Sequence, residues 1–141
     1  MSAMVILCVS LLIFWYIFPR QIGISKSLKL TIQVSGFASM AIGIFLFTGL
    51  HDIIVNLATI AGIIAVTGTI VSLKKLNWIK LFWMGLFNFL LVVLNNILYY
   101  SNGLLFYLPV VQKFTFLFFL LWISLININL YNHGKSNLTS L

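Results

Sequence analysis

Carboxylates are almost missing from this chain. Its 141 residues hold one acid, Asp52, against eight lysines and arginines, and only 6% of them are charged. An ordinary soluble domain carries about 25% charged residues, so a water-soluble globular surface is excluded. Asp52 therefore has no second acid beside it. Cysteine is equally scarce: Cys8 is the single thiol, which rules out an intramolecular disulfide and a thiol relay. The two histidines, His51 and His133, together with an isolated Cys8, do not make a set of three or four metal ligands. No metal and no cofactor is therefore expected. Proline occurs twice, as Pro19 and Pro109, so long helices can run with few interruptions.

What remains is apolar. Hydrophobic residues make up 62% of the chain and the mean hydropathy is +1.18. A spanning helix takes about 20 apolar residues at ~1.5 Å rise each, which leaves room for five spans and short connectors. The expected fold is all-α, an integral membrane bundle of five transmembrane helices in a single domain over 1–141, with spans near 3–19, 30–49, 52–72, 79–100 and 110–131. The opening stretch lacks a cationic start and a small-residue cleavage site, so it reads as a retained first span. Trp15, Tyr16 and Phe18 are expected at its interfacial end, with Pro19 closing it. Pro109 divides the long apolar run from Leu104 to Tyr131 into a short interfacial piece and the fifth span.

Span two repeats Ser35, Ser39 and Gly43, and span three carries Ala58, Ala61, Gly62 and Ala65. Small residues at such spacing let backbones approach where lipid gives no hydrophobic drive. These two spans are expected to form a tight hairpin. Gln33 and Asn88 are the deep polar groups, expected to hydrogen-bond across helices.

The net charge is +7, a balance that raises nucleic acid as a partner. A nucleic-acid footprint needs its cations on one solvated face, whereas these flank apolar runs in small groups. Membrane lipids explain them better, and no nucleic acid is expected. With five crossings, the connectors at 20–29 and 73–80 and the C-terminal tail share one face and hold all the cations except Lys113. That split gives an outside N-terminus and an inside C-terminus in an inner (plasma) membrane by the positive-inside rule.

On this topology polar residues gather at the outer ends of spans three to five. Asp52 and Asn56 are one helical turn apart, as are Asn95 and Tyr99; Gln112 and Lys113 open the last span, and His51 sits in the turn before Asp52. His51, Asp52, Asn56, Asn95, Tyr99, Gln112 and Lys113 form the candidate outer pocket. Asp52 and Lys113, the lone acid and the lone outer cation, are expected to pair. The bland alternative is an interfacial staple, worth under ~1 kcal/mol, with His51 and Asp52 merely capping a helix. No catalytic role is assigned. The favoured function is binding of a lipid headgroup or small amphiphile, or docking of another membrane protein. Alternatives are a lipid-modifying enzyme that uses His51 and Asp52 as acid and base, and a small transporter that gains its polar lining as a homo-oligomer.

The Leu50-His51-Asp52 turn after a small-residue span, the basic loop at 74–80 and YLPVVQKFTFLFFLLWI at 107–123 resemble an uncharacterised prokaryotic multi-pass membrane family, the domain of unknown function nine-nine-eight. In that family a histidine commonly opens a middle span, and a glutamine followed by a charged residue opens the last; His51 and Gln112-Lys113 are the matching positions. Its members usually have six spans, one more than counted here. The resemblance implies a helical membrane fold and membrane location, and no activity.

Overall fold

A computed structural model of the chain describes residues 2–47, 51–101 and 105–139, with side chains over 5–45, 53–101 and 106–133. Among the described residues the protein is all-α, without strands. Its helices are α1 (Ser2–Gln21), α2 (Lys26–Gly43), α3 (His51–Lys75), α4 (Ile79–Tyr100) and α5 (Leu108–Thr139), with 3-10 turns at Ile44–Phe47 and Leu105–Tyr107. Three described stretches are long and apolar enough to cross a membrane: Ile53–Lys75, Ile79–Tyr100 and Leu108–His133. The described apolar part of α1, Val5–Gln21, is shorter. α2 gives its first turns to Lys26, Ser27, Lys29 and Gln33.

Helix ends depart from the expected spans for local reasons. α2 starts at Lys26, four residues before the expected boundary, because a lysine stem can lie along a helix while its ammonium reaches outward. Past Gly43 the backbone tightens into the 3-10 turn, so span two is α-helical over a shorter stretch than 30–49. α3 continues past Ser72 and takes Lys74 and Lys75 into its last turn, where cations complement the helix dipole. Asn77 then breaks the chain with φ 57°, a left-handed conformation that asparagine tolerates better than most side chains. α4 begins and ends where span four does. Pro109 lies in the first turn of α5, where a missing N–H costs nothing. Pro19 does not end α1, which runs on to Gln21.

The chain divides into two compact units, Met1–Lys75 and Leu76–Leu141. In the first, α2 packs on both α1 and α3. Lipid supplies no hydrophobic drive between helices, so fit and polar bonds decide which faces meet. On the α1 side Gly36 leaves room for the indole of Trp15; a Cβ there would clash with the ring. Trp15 and Phe18 are consequently buried at 2% and 0% exposure, turned inward instead of standing in an interfacial belt, while Tyr16 stays exposed. Pro19 has no N–H to offer the Trp15 carbonyl four residues back. Gln33 reaches across to donate through Nε2 to the Tyr16 carbonyl at 3.3 Å. On the α3 side a Cβ on Gly68 would lie 2.6 Å from Cγ1 of Ile32, and one on Gly62 would lie 3.1 Å from Oγ of Ser39. Ser39 Oγ also donates to the Ala58 carbonyl at 2.8 Å. The small faces of α2 and α3 therefore meet, and Thr69 and Ser72, both fully buried, return their hydroxyls to their own helix.

The second unit is the antiparallel pair of α4 and α5. Trp122, fully buried, donates through Nε1 to the Leu81 carbonyl at 2.8 Å. Phe87 meets Phe118 edge-on at 5.3 Å between centroids. Near the same end as Leu81, Trp78 lies 6.3 Å from the ring of His133.

Candidate functional site

Within an apolar helix pair a polar side chain must find its partners in the protein, because lipid tails supply none. Asn95, late in α4, donates through Nδ2 to the Leu91 carbonyl at 3.1 Å and across the pair to Oγ1 of Thr115 at 2.6 Å. Thr115 is buried and passes its own proton to the Val111 carbonyl at 2.8 Å. Orientation of the amide is fixed by these donors, which leaves Asn95 Oδ1 buried and without a hydrogen-bond partner among the described residues. An amide oxygen in that state is an open acceptor that costs about 1–3 kcal/mol until something donates to it.

Around this bond stand the other expected residues of the second unit. Tyr99 follows Asn95 by one turn and is exposed, its ring edge-on to Tyr100 at 5.1 Å. Gln112 and Lys113, in the opening turns of α5, are exposed. Because α4 and α5 are antiparallel, Asn95, Tyr99, Gln112 and Lys113 belong to one end of the pair, and Thr115 supplies the link to Asn95. In the first unit Asn56 is exposed on α3. The side chains of His51 and Asp52 lie outside the described residues, and so does the expected pairing of Asp52 with Lys113.

Thr115 is absent from the sequence-derived set. Its signal was a hydroxyl on the stripe of α5 that continues through Trp122, Ile126 and Leu130, all buried. Asn88 differs from expectation. At 1% exposure, it donates to the Met84 carbonyl of its own helix at 2.9 Å, and its Oδ1 finds no partner among the described residues. A short amide reaches back one turn more easily than across a helix gap. Gln33, one methylene longer, does cross.

Chemically, this end of the second unit offers an ammonium, a side-chain amide, a phenol and one open amide acceptor. Such a set suits hydrogen bonding and charge pairing with a polar headgroup. Among its described residues there is no carboxylate, imidazole or thiol. Across all described residues no three His, Cys, Asp or Glu gather closely enough to hold a metal ion. Cys8 is buried and unpaired as a thiol.

Fold and site together define a membrane-associated all-α helical bundle. No family model matches the chain, and neither a curated protein nor a solved structure does.

Proposed function

We propose that the protein is a small multi-pass inner-membrane protein, crossing five times with its N-terminus outside, that binds the headgroup of a lipid or small amphiphile at the outer end of α4 and α5. One observation carries this: the Asn95–Thr115 bond places a buried, unfilled acceptor, Asn95 Oδ1, at the end that also exposes Gln112 and Lys113. A headgroup with both an anionic and a donor group would meet Lys113 with the first and Asn95 with the second. Segregation of the cations supports the orientation, since all but Lys113 fall to the inner face when the chain crosses five times. Kinship with the domain of unknown function nine-nine-eight, through His51 and Gln112-Lys113, belongs to the same proposal and adds fold and location only.

Photoreactive phosphatidylethanolamine, incorporated into vesicles holding the full chain, tests this. Crosslinks are expected on peptides from the end of α4 and the start of α5, and Lys113→Gln or Asn95→Leu should reduce them several-fold. Labelling that is uniform along the chain and unaffected by either substitution would overturn the assignment. Protein-to-protein crosslinks at the same peptides would favour docking of a membrane partner instead.

A further inference from the structure

The packing of the first unit brings distant cations together. α2 runs antiparallel to α1, through Trp15 against Gly36, and to α3, through Ile32 against Gly68 and Ser39 against Ala58. One end of the unit therefore holds the last turn of α1, the first turns of α2 and the last turn of α3. Arg20, Lys26, Lys29, Lys74 and Lys75 are on those turns. Four of these five are exposed and Lys29 is half-buried. Arg20 is held in place, its guanidinium 3.7 Å from the centroid of the Tyr16 ring and donating to the Tyr16 hydroxyl.

Those turns carry no side-chain carboxylate of their own. The only side-chain carboxylate, Asp52, opens α3, and 22 residues of helix at ~1.5 Å each set it about 33 Å from Lys74 along the axis. An ion pair needs its charges within about 4 Å, so Asp52 makes none with that end. For Arg20, Lys26, Lys29 and Lys75 a lipid headgroup can supply the counter-charge. Next to an apolar helical surface, the anion at hand with its own apolar anchor is a phospholipid.

From this convergence we infer that the α1–α2–α3 end is a recruitment surface for anionic phospholipids, drawing phosphatidylglycerol-type headgroups in preference to zwitterionic ones. It is a second lipid contact, separate from the proposed Asn95 end, and it rests on the membrane reading given above. Each cation at an anionic surface favours association about fivefold. Several acting together enrich the lipid in the annulus, and salt weakens the effect.

The full chain in nanodiscs of equal phosphatidylcholine and phosphatidylglycerol provides the test, with the retained lipid identified by native mass spectrometry. Phosphatidylglycerol is expected to be enriched several-fold, with the enrichment falling as salt is raised. A Lys26→Gln, Lys29→Gln, Lys75→Gln variant should approach parity, while the three Lys→Arg changes should keep the preference and control for folding. Lack of enrichment in the unaltered chain, or enrichment that survives the glutamine variant, overturns the inference. An alkaline carbonate wash separates the two failures. A chain that stays in the vesicles without lipid preference sinks this inference alone; a chain that washes off sinks the membrane reading as well.

Discussion

α2 approaches its neighbours so closely that a methyl group added at Gly36 would clash with the Trp15 ring, and one at Gly68 would lie 2.6 Å from Ile32. α4 and α5 are instead joined by side chains that cross the gap, Trp122 to the Leu81 carbonyl at 2.8 Å and Asn95 to Thr115 at 2.6 Å. The first unit is specified by where side chains are missing, the second by where they reach. Both answer the same difficulty. Helices in lipid gain little from burying apolar surface against one another, so either backbone proximity or a polar bond must choose the partner. The division also suits the proposed roles. A closely packed first unit brings its basic helix ends together, while in the second two amides, Asn88 and Asn95, have an oxygen without a partner among the described residues.

Four substitutions probe this contrast. The largest loss is expected from Gly36→Val. Even one added carbon meets the indole, and overpacking of this kind costs about 1–3 kcal/mol or more. Thermal unfolding in detergent measures the loss, and Trp15→Leu in the same chain should recover part of it. A neutral Gly36→Val would mean that α1 and α2 are not in contact there. Next is Trp122→Phe, which removes a cross-helix donor and some volume, for roughly 1–2 kcal/mol by the same assay. Thr115→Val should cost about 0.6–2 kcal/mol. Its effect should fail to add to that of Asn95→Leu in a double-mutant cycle, since both remove one bond. The smallest change is expected from Asn88→Leu. That substitution deletes a buried oxygen that has no partner among the described residues, so it should be neutral or slightly stabilising, within about 1 kcal/mol. A loss as large as that of Asn95→Leu would show that Asn88 does hold something across the helices.

Much of this contrast was legible in the residues. The recurrence of Ser35 and Ser39 and of Ala58 and Gly62 marks the α2–α3 face, and α4 is bounded as its apolar run is bounded, by Trp78 and the Ser101 break. Asn95, Tyr99, Gln112 and Lys113 could be assigned to one end because antiparallel neighbours with a short connection leave no other choice. Trp15 was the opposite case. Composition suggests an interfacial aromatic, and only a glycine on another helix makes room to bury it. Thr115 was missed for a similar reason, since a threonine in an aromatic-rich run reads as filler until Asn95 is found opposite. Helix limits at Lys26 and Lys75 were hidden because lysine, read as connector, is a good helix former with a long stem.

Sidedness bears most directly on the central proposal, that the chain crosses the membrane five times. In a Cys8→Ser background, Gly23→Cys lies in the α1–α2 link where a Cβ meets nothing within 4 Å, and Lys113→Cys is exposed in the opening turns of α5. A membrane-impermeant maleimide should label Lys113→Cys in intact cells and Gly23→Cys only after permeabilisation. Labelling of both from the same side would contradict the proposed five-crossing arrangement.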